Sequence, residues 1–396
     1  MKFHKMVGLL FLFAGCDALH NIGSIDRSGS DMGPDGSGDC PSDINAAVGK
    51  ACDRSWLEQC GGCGRCQTCH VLQCSHGTWT AIEVFADSSC YADMRPASTP
   101  WTQVSSGTTE YLHGVWGSGD KIFAVGGSTI LLSSDFGAHW ADVSLMSASG
   151  RAFSLSGVWG AGADFFALDG LSSTILHTSD AKKWLIADVQ PPVSEPLHVI
   201  WGTSAIDFYV AGGYNTVEHF SAEHWSRVAL EISYVGAITG WSGGIPGVLF
   251  GGVTQIGGHP TIQEQISRQA IRTVVLDQAS QGGVKGLWSD DGTNMYAVGF
   301  TVPEHALLYS SLNRAGWQKV KGGDADMLES SGQPLEGVFG DGTTVFAVGL
   351  GGTIFNWNTL KIESTGTTEH LRAIWGAAGH FVAVGDNGTI LVKTVQ

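Results

Sequence analysis

The sequence predicts an all-β fold, a seven-bladed β-propeller over residues 96–396. Three observations predict it. A short phrase of aliphatic residue, aromatic residue and glycine recurs seven times. Its copies lie about forty residues apart, the length of one blade of four short strands. Each copy is followed by apolar runs that end in glycine, which is typical of buried strands. One blade alone cannot bury its two faces, so the repeats are expected to stack into a ring.

The first strand of each blade is expected at the aromatic phrase. Five copies are clear and two are weaker, the latter centred on Trp241 and Trp288. The clear copies occupy residues 114–117, 157–160, 199–202, 337–340 and 373–376.

Three further strands complete each predicted blade. The second is an apolar run such as Ile122–Gly126, and the third begins with Thr-Ile or a close variant, as in Thr129–Leu131. The fourth opens with tryptophan, as in Trp140–Val143. Runs rich in branched and aromatic residues between glycines favour strands over helices.

The phase of the repeat predicts how the ring closes. The seventh repeat ends at Thr389–Val392 without a tryptophan strand, whereas Trp101–Val104 precedes the first repeat without a blade of its own. We expect this N-terminal strand to complete the last blade, which removes the open sheet edges of a linear array. Six or eight blades are the alternatives, because the fourth and fifth repeats are irregular.

The composition fits a propeller and excludes one class of partner. The chain has 396 residues with 56 glycines, 14 tryptophans and 15% charged residues, which suits many tight turns around aromatic-filled sheets. The net charge is -16. No basic stripe is present to neutralise phosphates, so no nucleic-acid partner is expected.

Residues 1–15 are expected to be a targeting segment. Lys2 and Lys5 precede an apolar run at residues 6–13, the order of a secretory signal. The segment Phe13–Cys16 resembles a bacterial lipobox, with phenylalanine in place of the usual leucine. The resemblance implies cleavage before Cys16, acylation of its sulfur, for example by palmitate, and a lipid anchor in the cell envelope, at the outer membrane or the periplasmic face. An ordinary secretory signal with a chance cysteine is the alternative.

Residues 16–39 are predicted to be a flexible tether, and residues 40–95 a cysteine-rich module. The module carries eight cysteines, an even number that predicts four disulfides in an exported protein. Eight cysteines allow 105 pairings, so the connectivity stays open. These cysteines are Cys40, Cys52, Cys60, Cys63, Cys66, Cys69, Cys74 and Cys90.

Cofactor sites compete for the same cysteines. Cys66, Cys69 and His70 match the short haem-attachment pattern, but they lie inside a denser cysteine run and no second axial ligand is indicated. The cysteine run lacks the Cys-Pro ending that binds iron–sulfur clusters in bacterial ferredoxins. A zinc site normally has two cysteine pairs separated by about 15 to 20 residues, whereas the pairs Cys60/Cys63 and Cys66/Cys69 are separated by two. We therefore expect no cofactor.

A turn in the first blade carries the most specific motif. Ser133, Asp135, Gly137 and Trp140 fit the pattern Ser-x-Asp-x-Gly-x-x-Trp. The pattern resembles the Asp-box, or bacterial neuraminidase repeat, of sialidases, photosystem II assembly-factor propellers and many secreted bacterial propellers. The aspartate, glycine and tryptophan are expected to stabilise a turn on the blade rim, which is a structural role.

Catalysis is not expected. A resemblance to sialidases would require three arginines, a tyrosine nucleophile with a glutamate, and an acidic acid/base residue, yet the segment that supplies the first arginine is absent. No Ser-His-Asp, paired-carboxylate or phosphate-loop signature is present either. A sialidase-like glycan hydrolase remains the alternative function, and an electron-transfer lipoprotein with c-type haem is the second alternative.

One variable position in the repeat predicts a binding surface. It is the x of the phrase Leu-x-Gly-Val-Trp and its close variants, in which the other residues are apolar. Six polar, dissimilar side chains there would ring one mouth of the central channel, where propellers commonly bind ligands. A solvated rim without a ligand is the alternative, and the mixed types argue against a symmetric metal site. The six residues are His113, Ser156, His198, Lys285, Glu336 and Arg372.

The chain as a whole resembles envelope lipoproteins of myxobacteria and related bacteria, which combine a lipobox, a cysteine-rich module and a propeller of Trp-Gly and Ala-Val-Gly repeats. The repeat resemblance covers residues 97–396. It implies the fold and an envelope location. We expect a monomeric, non-enzymatic binding or scaffold protein that engages a protein or a glycan through a propeller face.

Overall fold

The computed structural model describes residues 59–60, 68–75, 78–85, 100–145, 152–242, 246–266, 271–303, 305–330 and 332–395. The chain divides into two units, Met1–Ser98 and Thr99–Gln396. In the first unit three strands form an antiparallel sheet in sequence order. They are β1 (Gln59–Cys60), β2 (Thr68–Ser75) and β3 (Thr78–Phe85).

The second unit contains seven four-stranded antiparallel sheets, so the predicted all-β, seven-bladed propeller is confirmed. Blades 1 to 3 are simple meanders of consecutive strands. Blade 1 is β5 (Gly114–Ser118), β6 (Lys121–Gly126), β7 (Thr129–Ser133) and β8 (Ala141–Asp142). Blade 2 is β9 (Leu155–Ala161), β10 (Asp164–Asp169), β11 (Ile175–Thr178) and β12 (Leu185–Ile186). Blade 3 is β13 (Leu197–Ser204), β14 (Asp207–Gly212), β15 (Thr216–Ser221) and β16 (His224–Arg227).

Blades 4 to 6 repeat the meander. Blade 4 is β17 (Ile232–Trp241), β18 (Gly247–Thr254), β19 (Pro260–Ile266) and β20 (Arg272–Val275). Blade 5 is β21 (Gln281–Ser289), β22 (Met295–Val302), β23 (His305–Ser311) and β24 (Gln318–Lys319). A short helix, α1 (Ala325–Ser330), precedes blade 6. Blade 6 is β25 (Leu335–Gly340), β26 (Val345–Gly349), β27 (Ile354–Asn356) and β28 (Lys361–Glu363).

Blade 7 takes strands from both ends of the propeller. It contains β29 (Leu371–Ala377), β30 (His380–Gly385) and β31 (Ile390–Thr394), and its fourth strand is β4 (Thr102–Val104). In the register of this pairing, Ile390 lies opposite Val104 and Val392 opposite Thr102. The first strand of every blade contacts the first strand of the next, and β29 contacts β5, so the inner strands form a complete ring.

In blades 1, 4 and 6 the glycine after the aromatic position packs against the preceding blade. A Cβ on Gly117 would lie 2.5 Å from the ring of Trp375, which belongs to the preceding blade. Gly240 and Gly340 meet the rings of Trp201 and Trp288 in the same way, at 2.6 and 2.7 Å. These three glycines therefore leave room for the tryptophan of the preceding blade. The glycines Gly160, Gly202 and Gly376 instead meet a phenylalanine of their own blade.

The register of blade 4 corrects one assignment made from the sequence. Trp201 of blade 3 lies opposite Tyr209, and the corresponding pair in blade 4 is Thr239 opposite Leu249. Trp241 therefore lies two residues beyond the aromatic position of its repeat. The sequence misleads here because a threonine occupies the aromatic position and a buried tryptophan follows close behind.

Candidate functional site

The six predicted binding residues lie at one structural position. In blades 2 to 7 the pairing between the first two strands shifts register at the same point, which is a β-bulge. These shifts leave one residue unpaired in each blade, and the side chains at this point are those of Ser156, His198, Lys285, Glu336 and Arg372. His113 comes directly before β5, in a blade whose pairing has no shift. Bulges redirect side chains at the rims of sheets. We call the six residues His113, Ser156, His198, Lys285, Glu336 and Arg372 the mouth ring.

Blade 4 contributes no side chain to the mouth ring. The residue at its bulge is Gly236, and a Cβ there would lie 2.3 Å from the carbonyl oxygen of Val284 in blade 5. Only glycine fits so close to the neighbouring backbone. The mouth ring therefore has a gap between His198 of blade 3 and Lys285 of blade 5.

Electrostatic influence between mouth-ring residues extends across intervening blades. Burial lowers the pKa of His113, and the charges of Arg372 and His198 lower it further, while Asp386 opposes the shift. Burial, followed by the charge of Lys285, also lowers the pKa of His198. His113 and His198 belong to blades 1 and 3, so the effect of His198 on the pKa of His113 acts across blade 2. Both shifts favour the uncharged form of the imidazole.

Two cations of the mouth ring are held by neighbouring groups. Arg372 forms a two-pronged salt bridge with Asp386, in which Nη2 lies 3.1 Å from Oδ2, and its guanidinium lies 5.5 Å from the ring centre of Tyr111. The Nζ atom of Lys285 lies 5.9 Å from the ring centres of both Tyr234 and Phe300. Aromatic faces attract cations at such distances. Residues outside the repeat phrase therefore shape the mouth ring.

The remaining members of the mouth ring differ in what they offer a ligand. The hydroxyl of Ser156 donates a hydrogen bond of 2.8 Å to the carbonyl of Leu197, in the next inner strand, so this side chain is committed to the wall. Glu336 is half-buried. The structure thus brings imidazole, ammonium, guanidinium and carboxylate groups together at one end of the channel, whereas the serine is structural.

Aromatic rings of different blades meet beyond the mouth ring, further along the inner strands. Trp116 of blade 1 and Phe339 of blade 6 each lie three residues beyond a mouth-ring residue, and their ring centres are 5.6 Å apart at 88°. Blades 1 and 6 are separated by blade 7, so this contact is made on the channel side of blade 7. The indole Nε1 of Trp116 also donates to the carbonyl of Gly160, at 2.8 Å. We call the space bordered by the mouth ring and these rings the cup, and the rings its aromatic floor.

The turn with the Ser-x-Asp-x-Gly-x-x-Trp pattern lies apart from the mouth ring, between β7 and β8. Asp135 accepts hydrogen bonds from the Ser133 hydroxyl at 2.8 Å and from the backbone N–H of His139 at 3.0 Å. The amide of Gly137 donates to the Ser133 hydroxyl at 2.9 Å, and the indole of Trp140 donates to the carbonyl of Gly137 at 2.9 Å. These polar groups of the motif bond to one another inside the turn, as a structural role requires.

Several predicted sites fall outside the described residues. These are the lipidation site Cys16 and the module cysteines Cys40, Cys52, Cys63, Cys66 and Cys90. Cys60 lies in β1, and Cys69 and Cys74 lie in β2. In the part of the chain that the structure describes, no group of three or more His, Cys, Asp or Glu side chains is arranged to hold a metal ion. No helix among the described residues has the length and apolar character of a membrane span.

Comparison with known proteins shows the fold. No protein-family model matches the chain, and no curated protein matches it. Among solved structures, YCF48 bound to a D1 peptide is similar with a TM-score of 0.59 at 12% identity, over 76% of this chain and 96% of that chain. Virginiamycin B lyase from Staphylococcus aureus has a TM-score of 0.56 at 10% identity, over 75% and 99%. The WD40 β-propeller domain of Doa1 has a TM-score of 0.56 at 10% identity, over 75% and 98%.

The similarity to YCF48 agrees with the likeness to photosystem II assembly-factor propellers that the repeats predict. The three neighbours are named as a peptide-bound propeller, a lyase and a WD40 domain. At 10–12% identity they share an architecture with this chain. Its function has to be argued from its own residues.

Proposed function

We propose that this protein is a non-enzymatic binding module that holds a segment of a protein partner in the cup formed by the mouth ring. The observation that carries the proposal is the bulge at one position of the inner strands, which directs different polar side chains to one end of a channel with an aromatic floor. A cup with mixed polar walls and an apolar base offers both orientation and buried contact area to a peptide.

The charges favour a mixed peptide segment over a single ion. Lys285 and Glu336 stand in adjacent blades with opposite charge, and Arg372 is already neutralised by Asp386. The lowered pKa values of the two histidines favour their uncharged forms. The mouth ring therefore has little net charge, so specificity would come from the positions of donors and acceptors. YCF48, a propeller of similar fold, has been solved with a bound peptide, which supports a protein segment as the partner.

Site-specific photo-crosslinking tests the proposal. Benzoylphenylalanine placed at Lys285 or Glu336, in cells that make the protein, should yield a discrete crosslinked protein after irradiation. The matched control carries the same residue at Asp120, an exposed position in the turn between β5 and β6 at the other ends of the inner strands. No protein adduct at Lys285 and Glu336, or the same adduct at Asp120, would refute a partner site at the mouth ring.

Substitutions then test which side chains hold the partner. Lys285→Ala and Glu336→Ala together should weaken capture of the crosslinked partner at least tenfold. Ser156→Ala should leave it unchanged, because the Ser156 hydroxyl is bonded to the wall of the cup. Thermal unfolding of each variant shows whether the ring remains folded.

We also propose that the propeller is exported and tethered to the cell envelope through a lipid on Cys16. The support is the order of charged residues, apolar run and small residues before Cys16. A tether of residues 16–39 would leave the mouth ring accessible to envelope partners. Growth with an azide-tagged fatty acid should label the protein, and Cys16→Ser should abolish the label and release the protein to the soluble fraction. Labelling that survives Cys16→Ser would disprove this anchor.

A further inference from the structure

A cleft of about 730 Å³ lies between blades 3 and 4. It lies beside Thr203 and Trp241, near the C-terminal ends of β13 and β17, whereas the mouth-ring residues lie near the N-terminal ends of the other inner strands and of β13 itself. Its volume is in the range of small-molecule sites in proteins. The cleft is therefore a second candidate site, separate from the mouth ring.

A difference between two blades explains why this cleft is open. In blade 3, Phe208 and Phe220 lie opposite each other with ring centres 5.2 Å apart, and Phe208 lies 5.1 Å from Phe166 of blade 2. These rings fill the space between blades 2 and 3. The same register in blade 4 holds Val248 opposite Gln265, and both line the cleft. A valine and a glutamine fill less apolar volume than two phenylalanines, so the space between blades 3 and 4 stays open.

An imidazole–carboxylate pair lies on the blade 3 wall of the cleft. His219 Nε2 is 2.7 Å from Asp207 Oδ1, and the Thr203 hydroxyl donates a 2.9 Å hydrogen bond to Asp207 Oδ2. The His219 ring stacks on Tyr209, with ring centres 4.0 Å apart at 1°. A carboxylate beside Nε2 favours the tautomer protonated there, which leaves Nδ1 as a hydrogen-bond acceptor. No residue of the described chain is hydrogen-bonded to Nδ1.

Blade 2 carries the same pair in a filled environment. His177 Nε2 is 2.8 Å from Asp164 Oδ1, and the His177 ring stacks on Phe166 at 4.7 Å. Phe208 of blade 3 covers Phe166 of blade 2. The equivalent side of blade 3 is not covered in this way and borders the cleft. The pair by itself is thus part of the repeat. The open space beside it is particular to blades 3 and 4.

The chemistry of the lining indicates a neutral ligand rich in hydroxyl groups. The cation at the cleft, Arg227, is occupied by Glu218 at 3.6 Å and by the carbonyl of Asn215 at 2.6 Å. Asp207 is a carboxylate, so an anionic ligand would be repelled. The other polar groups are hydroxyls and an amide, from Thr203, Ser221, Ser226 and Gln265, beside the apolar surfaces of Val248 and Trp241.

We propose that this cleft binds a sugar residue. A pyranose has hydroxyls that donate to His219 Nδ1 and exchange hydrogen bonds with Ser221 and Gln265. Its C–H faces can lie against the apolar wall at Val248. Small-molecule sites combine a few placed polar groups with apolar walls in this way. The proposal adds a ligand site to the protein-binding cup and does not depend on it.

Titration with free monosaccharides tests the proposal on the full-length protein. The probes are glucose, galactose, mannose and N-acetylglucosamine, followed by isothermal calorimetry and saturation-transfer NMR. At least one should bind saturably with a millimolar or lower Kd. The double variant Val248→Phe with Gln265→Phe reproduces the blade 3 pair, fills the cleft and should abolish binding.

Two further variants keep the test decisive if the filled variant does not fold. Ser221→Ala removes a ligand contact without changing the volume greatly, and should weaken binding at least fivefold. His177→Asn alters the matched pair in blade 2 and should leave binding unchanged. The proposal is overturned if none of the four sugars binds saturably. It is equally overturned if a folded Val248→Phe/Gln265→Phe protein binds like the original.

Discussion

Asp135 shows how one side chain fixes a connection between strands. Its carboxylate accepts hydrogen bonds from the backbone N–H of His139 and from the Ser133 hydroxyl. The backbone bond from His139, followed by those from the side chains of His139 and Ser133, lowers the pKa of Asp135 to about 2. The charged form is therefore favoured by the folded turn. The same turn places Gly137 in the left-handed region, at φ 89°, and seats Trp140 beside it.

Replacing Asp135 by alanine should lower the melting temperature by a few degrees at pH 7, because the turn loses its acceptor. The pKa of Asp135 is about 2 in the folded protein, below the ordinary value of 3.8 that applies to the unfolded chain. The stabilisation is therefore complete above pH 3.8 and disappears as the pH falls towards 2. Thermal unfolding between pH 7 and pH 2 should show the difference from the original protein narrowing with acid.

Asp188→Ala is the control for this experiment, since Asp188 is an exposed aspartate of the neighbouring blade. Its melting temperature should change little at any pH. A difference for Asp135→Ala that stays constant down to pH 2 would contradict the assigned role of the ionised carboxylate.

At the scale of the strand, β28 joins blade 6 to blade 7 through Glu363. Its carboxylate accepts hydrogen bonds from the indole Nε1 of Trp101 at 2.9 Å, from Lys393 Nζ at 2.6 Å and from the amide of Asn356 at 2.8 Å. Lys393 is only 5% exposed and lies over the rings of Trp101 and Phe346. One carboxylate thus satisfies a buried ammonium and an indole that come from opposite ends of the propeller.

Glu363→Ala should lower the free energy of unfolding by about 3 to 5 kcal/mol, because it leaves the ammonium of Lys393 buried without its partner. Adding Lys393→Met to Glu363→Ala should recover most of that loss, since no charge then remains buried. Denaturant unfolding of the single and double variants measures both effects.

Lys361 provides the control in the same strand. It is exposed, and its ion pair with Asp324 is 3.1 Å long. Lys361→Ala should change the free energy of unfolding by less than about 1 kcal/mol. Equal losses at Lys361 and Glu363, or no recovery in the double variant, would show that burial of Lys393 does not govern this contact.

The strands could be predicted from the sequence because most repeats carry the same packing residues at the same positions. The glycine after the aromatic position and the apolar second strand recur at regular spacing. The second strand packs between neighbouring blades, and in blades 1, 4 and 6 the glycine does so as well. Blade 4 departs from the pattern because Thr239 replaces the tryptophan and Gly236 replaces the polar residue. Irregular repeats hide their register, since register is a property of strand pairing.

The candidate sites were only partly visible in the sequence. The mouth-ring residues could be found because they are polar residues in an otherwise apolar phrase. The bulges that redirect their side chains could not, because a bulge is a property of the pairing between two strands. Asp386 and Tyr111, which hold Arg372, lie outside the repeated phrase. The cleft was not predicted, because it arises where Val248 and Gln265 are smaller than the two phenylalanines at the same positions of blade 3. No sequence motif marks such an unfilled space.

At the scale of the whole molecule, the two candidate sites lie near opposite ends of the inner strands. The mouth ring precedes the aromatic floor in every inner strand that contributes to it, and the cleft lies beyond that floor near Thr203 and Trp241. A partner in the cup and a sugar in the cleft would therefore occupy different faces. Variants at Lys285 should not change monosaccharide binding, and Val248→Phe should not change capture at the mouth ring.

Blade 7 contains a pairing between strands that lie nearly three hundred residues apart. β4 covers the outer edge of β31, with Ile390 opposite Val104. Deleting residues 101–104 would expose this edge and remove the indole from Glu363. Since a free edge strand pairs readily with other chains, the deletion should lower the melting temperature by about 10 °C or more and produce concentration-dependent association. Light scattering and thermal unfolding measure the two effects.

Adding a peptide of residues 97–108 to the deletion variant distinguishes loss of the β4 strand from general misfolding. It should pair with β31 and restore the melting temperature, because complementation by an added strand supplies both the backbone hydrogen bonds and the Trp101 indole. The same peptide with Trp101→Ala should restore it less, since Glu363 then lacks one donor. Thr102→Ala with Gln103→Ala in the intact chain should have little effect, because both side chains are exposed and the backbone pairing remains. A deleted protein as stable as the original, or one that the peptide does not rescue, would show that the propeller closes without β4.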